Sequence, residues 1–224
     1  MRDKQLSGSG GDKIMLDNKG FDLWADGYDR TVGVSDDENS YPFAGYKEVL
    51  AKIYGTIMSR AEAKKEKTAV LDIGFGTGTL AAKLYENGCE VFGQDFSENM
   101  IKIAQEKMPE AHLYRGDFSQ KLAEPLLGRS YDFITATYSL HHLTDAEKTA
   151  FIGVLSGLLR DGGMLLIGDV AFEDREKLNR CREEVSDEWD DEEIYFVADE
   201  IKKSFPGMKF EKVSYCAGIL TLLK

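Results

Sequence analysis

The stretch Val70-Leu71-Asp72-Ile73-Gly74-Phe75-Gly76-Thr77-Gly78-Thr79-Leu80 runs from an apolar segment through a glycine loop into a helical pattern. Ala69 to Ile73 is a short apolar run of the kind buried in a parallel sheet. Leu80, Ala81, Leu84 and Tyr85 then share one helical face until Asn87-Gly88 supplies the stop. Glycine reaches positive φ without steric cost and lets the backbone come close to a ligand. The helix start adds N–H groups that have no intrahelical partner. Strand, glycine loop and helix in that order predict a ligand-binding βα unit.

The alternation continues toward the C-terminus. Glu90 to Asp95 is a second strand, and Ser97 caps a helix carrying Met100, Ile101, Ala104 and Met108, which Pro109 ends. His112 to Tyr114 is a short third strand, Phe133 to Thr137 a fourth, and Met164 to Val170 a fifth entered through Gly162-Gly163. Thr144-Asp145-Ala146-Glu147 is a capping box, opening a helix with Phe151, Ile152, Leu155, Leu158 and Leu159 inward. On the N-terminal side, Tyr46, Val49, Leu50, Ile53, Tyr54, Ile57 and Met58 mark an amphipathic helix after Pro42. Beyond the fifth strand, Glu173 to Glu193 is highly charged and Ile194 to Phe205 reads as helical. Lys209 to Tyr215 and Ile219 to Leu223 read as a hairpin joined around Ala217-Gly218.

The expected fold is therefore α/β, a doubly wound and mostly parallel sheet with a terminal antiparallel hairpin and right-handed crossovers. Ligands in such sheets sit beyond the carboxyl ends of the strands. Residues 1–19 read as a flexible tail, and residues 20–224 as one domain with a helical cap at 20–66 and a charged insert at 173–205.

Composition narrows the function classes. The chain has 224 residues, Lys+Arg 28 against Asp+Glu 40 and a formal net charge of −12. A broad grip on nucleic-acid phosphates needs clustered Lys and Arg, so no nucleic-acid partner is expected. Cys89, Cys181 and Cys216 are widely spaced with no CxxC, and only His112, His141 and His142 could assist a metal, so neither a zinc framework nor a disulfide scaffold is expected. No window approaches the ~18 apolar residues of a membrane span, and the first residues carry charges without an apolar run behind them. A cytoplasmic protein without a membrane partner is the expectation.

Three ligand readings compete for the glycine loop. A phosphate-cradling loop of the GxxxxGK[ST] type needs a lysine that is missing here. A dinucleotide fingerprint needs a glycine where Thr79 stands, and gives no role to Asp72. What remains is D-x-G-x-G-x-G, the pattern that cradles the methionine part of S-adenosylmethionine, whose positive amino group gives the Asp72 carboxylate an electrostatic reason to be there. Asp95 ends the second strand, where a carboxylate can accept bonds from both ribose hydroxyls. Asp117 and Phe118, past the third strand, offer an acceptor for the adenine amino group and an apolar wall.

VLDIGFGTGTL (70–80), VFGQDFSENM (91–100), RGDF (115–118) and YDFITATYSLHHLTDAEK (131–148) resemble the class I S-adenosylmethionine-dependent methyltransferases. FDLWADGYD (21–29) and HHLTDAEK (141–148) are similar to the bacterial YrrT-like group among them. The resemblance implies a Rossmann-like, seven-stranded sheet whose last strand is antiparallel, with S-adenosylmethionine as cofactor and S-adenosylhomocysteine as product. It implies cofactor contacts at Gly74, Asp95 and Asp117, and brings Tyr28 over the cofactor, although Trp24 and Tyr28 equally suit plain packing of an N-terminal helix. The expected cofactor set is completed by Asp72, Gly76, Thr77, Gly78, Phe96, Met100, Phe118 and Thr137.

Methyl transfer from a sulfonium is an in-line displacement in which placement of the nucleophile supplies much of the catalysis. Candidates follow the fourth strand: Thr137, Tyr138, Ser139, His141 and His142, with Tyr138 and His141 named for a catalytic role. A histidine just before a helix is more often structural. The Pro-Pro-aromatic motif of adenine and glutamine N-methyltransferases is missing from Thr137-Tyr138-Ser139-Leu140, and no carboxylate cluster there suggests a metal, so no metal ligand is assigned. Asp187 to Glu193 holds six acids around Trp189, open to reading as a solvated helix end or as a lid attracting a cationic or amine substrate. Tyr41-Pro42-Phe43 and Tyr46 are candidates for the opposite pocket wall. A methyltransferase for a small-molecule acceptor is expected; the alternatives are an RNA or protein methyltransferase, a non-catalytic module binding the same cofactor, and a nicotinamide oxidoreductase.

Overall fold

The computed structural model describes residues 39–64 and 66–224. Tyr28, Trp24 and the tail at 1–19 lie outside the described residues. Helix α1 (Tyr46–Ala61) leads to β1 (Ala69–Ile73), α2 (Thr79–Glu86), β2 (Glu90–Asp95), α3 (Glu98–Lys107) and β3 (His112–Arg115). A short α4 (Glu124–Leu127), β4 (Tyr131–Thr137), α5 (Asp145–Leu158) and β5 (Leu159–Phe172) follow. The chain closes with α6 (Arg175–Val185), β6 (Phe196–Val197), α7 (Ala198–Ser204), β7 (Lys209–Lys212) and β8 (Ala217–Leu223).

The strands run β3-β2-β1-β4-β5-β8-β7, with β6 pairing β5 off this path. The five strands from β3 to β5 are parallel to their neighbours, and β8 is antiparallel to both β5 and β7. The main path thus has the expected seven strands. Alternation along β1 splits its side chains between two cores: Val70 joins the one under α1, α2, α3 and α6, while Ala69, Leu71 and Ile73 join the one under α5 and α7. Strand order reverses at β1, with β2 on one side and β4 on the other, so a crevice opens beyond their carboxyl ends.

Two caps predicted from sequence are in place. Ser97 Oγ accepts from Met100 N–H at 3.2 Å, and Thr144 and Glu147 exchange both bonds of a capping box. Three boundaries differ. Strand β5 begins at Leu159, before Gly162-Gly163, and the two glycines sit in a bulge between the Tyr131–Leu159 and Phe133–Met164 pairs. The helix expected from Ile194 begins only at Ala198, because buried Phe196 and Val197 pair with the end of β5 instead. Gly218 lies inside β8, paired with Lys212, and the turn falls before it. None of the described helices is long and apolar enough to cross a membrane.

Candidate active site

The glycine loop folds as the sequence requires. Gly74, Gly76 and Gly78 all have positive φ. Gly74 leaves the least room: a Cβ there would stand 2.5 Å from Ser139 Cβ, so the loop backbone packs directly on the Ser139 side chain after β4. Gly78 starts α2 from a left-handed conformation, and Gly74 N–H donates to Gln94 O at 2.8 Å, joining the loop to β2.

Asp95 organises the floor. One carboxylate oxygen accepts from Gly76 N–H at 2.9 Å and the other from Ser97 N–H at 2.9 Å. A carboxylate has about four lone-pair sites, more than these two bonds use. The cavity around it is lined by Gly74, Gly76, Asp95, Phe96, Ser97, Met100, Phe118, Tyr138, Ser139 and His142. The fold thus brings together nine of the site candidates named from sequence: Gly74, Gly76, Asp95, Phe96, Met100, Phe118, Tyr138, Ser139 and His142. Phe118 is backed by Phe151, stacked at 5.7 Å. Tyr138 has φ of 50°, an uncommon conformation for a bulky residue, and its ring packs on Tyr46 at 5.0 Å and Phe43 at 5.5 Å. Tyr46 and Phe43 therefore support a wall residue without lining the cavity themselves.

The remaining candidates lie off the cavity wall. Asp72 is buried at the end of β1, where Thr135 Oγ1 donates to it at 2.8 Å. Burial pushes its carboxyl up to about 7, with the Asp95 charge adding to the rise and the Thr135 bond opposing it. Asp117 is exposed, and its carboxylate accepts from Ser119 N–H at 2.9 Å, closing a surface turn. Thr77 is buried within the loop, and Thr137 pairs with Gly168 inside the sheet.

The two histidines part company. His141 is buried behind the cavity: its Nδ1 lies 2.7 Å from Asp169 Oδ1, and its Nε2 lies 3.5 Å from Glu193 Oε1. Burial lowers its pKa, but the two carboxylates outweigh burial and raise it overall. His142 is the one that reaches the cavity, its pKa lowered to about 4 by desolvation among surrounding groups and by neighbouring His141. The fold therefore places His141 behind the cavity wall and His142 on it. The cause is Asp169, a fully buried acid in β5 that accepts from His141 and from the Leu140 and Val170 N–H groups.

The acidic segment is solvated over four of its six acids but anchored at its tryptophan. Trp189 turns inward and stacks on Tyr41 at 5.6 Å, pinning the segment to the body. Asp187, Glu188, Asp191 and Glu192 face solvent, whereas half-buried Glu193 accepts from Tyr195 OH at 2.7 Å and reaches His141. Sequence reasoning missed Asp169 and Glu193 as partners here, although an acid inside the apolar run Met164 to Val170 is the signal that could have found the first.

A doubly wound sheet of this order, with a glycine loop after β1 and an acid closing β2, is the Rossmann-like fold of S-adenosylmethionine-dependent methyltransferases. Residues 70–163 match the family described as Methyltransferase domain. The chain is 40% identical over 165 residues to an uncharacterized methyltransferase of Geobacillus sp. (strain WCH70), covering 73% of this chain and 72% of that one. By structure it is similar to magnesium protoporphyrin IX methyltransferase (ChlM) from Synechocystis PCC 6803 with bound S-adenosylhomocysteine. That match has a TM-score of 0.66 and 19% identity, covering 93% of this chain and 100% of that one. DesVI of Streptomyces venezuelae matches with a TM-score of 0.61 and 18% identity, covering 88% and 96%. The chain belongs to the methyltransferase family.

Proposed function

We propose that this methyltransferase takes its methyl group from S-adenosylmethionine and passes it to a small-molecule acceptor. The observation that carries the reading is the cavity at the carboxyl ends of β1, β2 and β4, where the Asp95 carboxylate, the Gly74 and Gly76 backbone and the Phe96, Met100 and Phe118 side chains converge. Asp95 is the ribose acceptor in this reading, and the three apolar side chains form the adenine slot. Asp72 is a buried carboxyl that favours a positive charge nearby, which the ligand's amino group supplies. Asp117, by its place past β3, and Tyr28, by resemblance alone, complete the cofactor site in this reading. ChlM, named for a porphyrin, supports a small-molecule acceptor, as does the net charge of −12, which disfavours an RNA partner. The placement within the YrrT-like group rests on the segments at 21–29 and 141–148. Three buried free thiols suit the reducing cytoplasm.

The test is transfer of label from methyl-tritiated S-adenosylmethionine to a panel of amine, thiol, hydroxyl and carboxylate compounds, run beside total RNA and protein. Label in a small molecule is the expected result. Label confined to RNA or protein would favour the macromolecular alternative, and binding without any turnover would favour a non-catalytic module.

A further inference from the structure

The groups behind the cavity wall share a geometry that methyl-donor binding does not use. Donor atoms of His141, His142 and Glu193 all lie within 4.8 Å of one another. Two ligands on one ion, each bonded at about 2.1 Å, are separated by about 3.0–3.4 Å in octahedral or tetrahedral arrangements. The His141 Nε2 to Glu193 Oε1 separation of 3.5 Å is already close to that, and His142 sits one residue away on the same 3-10 turn.

The His141 and Glu193 donors are each oriented from behind. Asp169 holds Nδ1 of His141 at 2.7 Å, which leaves Nε2 as the nitrogen aimed at Glu193. A carboxylate on the far nitrogen is the usual support of a metal-bound imidazole. Tyr195 OH donates to the other oxygen of Glu193 at 2.7 Å. The two chain segments are also tied together: Ile194 N–H donates to His141 O at 2.8 Å, and buried Lys148 donates to Ile194 O. Glu193 is thus held beside the histidines through its neighbour Ile194, by one backbone bond and one bond from the Lys148 side chain.

We infer that His141, His142 and Glu193 form a site for a divalent transition-metal ion, with Zn2+ or Fe2+ as the chemical class that two imidazoles and one carboxylate select. Such a set leaves open coordination positions. Because His142 also lines the cavity, those positions adjoin it, and they suit a hydroxyl, thiol or carboxylate of the acceptor. This last step rests on the methyltransferase reading; the metal site itself does not. No metal framework is visible in the sequence, because Glu193 comes from the charged segment after β5 and meets the histidines only through the fold.

The test starts from full-length protein stripped with a chelator and titrated calorimetrically with Zn2+, and with Co2+ while the visible spectrum is recorded. S-adenosylmethionine affinity is measured in parallel. One ion per chain, with the Co2+ bands of an ordered site, is the expected result. Asp169→Asn is expected to weaken binding by about 10- to 100-fold, and Glu193→Gln, nearly isosteric and at a half-buried position, by more. Each variant is checked for an unchanged melting transition. Absence of binding to wild-type protein, or equal binding by Glu193→Gln, would overturn the site. Intact S-adenosylmethionine binding alongside that failure would show that the metal inference alone has fallen.

Discussion

The Asp95 carboxylate and the Gly76 N–H are joined at 2.9 Å across the gap between β2 and the glycine loop. This bond gives one side chain two jobs, because the group that fixes the loop is also the group placed to receive ribose hydroxyls. Asp95→Ala is expected to weaken S-adenosylmethionine binding by about 1–3 kcal/mol, roughly 5- to 150-fold. Calorimetry on folded variant checks this, and unchanged affinity would remove Asp95 from the ribose site.

Gly74 sits at φ of 65° with Ser139 Cβ 2.5 Å from where its own Cβ would be. Gly74→Ala is expected to lose about 2–4 kcal/mol from backbone strain and collision together. A thermal melt should fall by roughly 2–4 °C per kcal/mol for a chain of this size. Adding Ser139→Gly should restore part of the loss, since it removes the colliding atom. A double variant no more stable than Gly74→Ala would show that the contact is not the cause.

Asp72 has its carboxyl raised to about 7 from an ordinary 3.8, chiefly by burial. The folded state therefore keeps a proton that the unfolded chain releases, and stability from this group falls as pH rises between those two values. Asp72→Asn has no such loss and keeps an acceptor for Thr135. In ligand-free protein its melting temperature relative to wild type should climb from pH 4 to pH 7 and level off above, by up to a few kcal/mol equivalent. A difference independent of pH would mean that Asp72 is ionised throughout.

Asp132 works in the opposite sense. Burial opposes its ionisation, but Lys64, the Ala69 N–H at 2.9 Å and Arg160 at 3.0 Å outweigh that and hold its carboxyl below 3.8. Its contribution is present above the ordinary value and lost as pH falls through the folded one. Both cations are about two-fifths exposed, so Asp132→Asn is expected to cost only about 1–2 kcal/mol at pH 7. That cost should shrink below pH 3.8, as paired thermal melts across pH would show.

Whereas the seven-stranded sheet came with the family resemblance, strands β1 to β4 and the caps at Ser97 and Thr144 were legible because apolar period and capping chemistry are local. The same is true of the loop residues and Asp95, whose positions follow from being last on a strand. Ile194 to Val197 was not legible as extended chain, since its apolar residues suit a helix equally until the end of β5 offers them a partner. His141 and His142 are neighbours in sequence, and only buried Asp169 decides which one turns away from the cavity. Asp117 follows the right strand, and one oxygen of its exposed carboxylate accepts from Ser119 N–H.

The decisive measurement is calorimetric titration of the purified protein with S-adenosylmethionine, S-adenosylhomocysteine and NAD in parallel. Binding of both adenosyl ligands in the micromolar range, with no heat from NAD, is the predicted result. Failure of both to bind to protein shown to be folded, or binding of NAD in their place, would contradict the assignment of the cavity around Asp95.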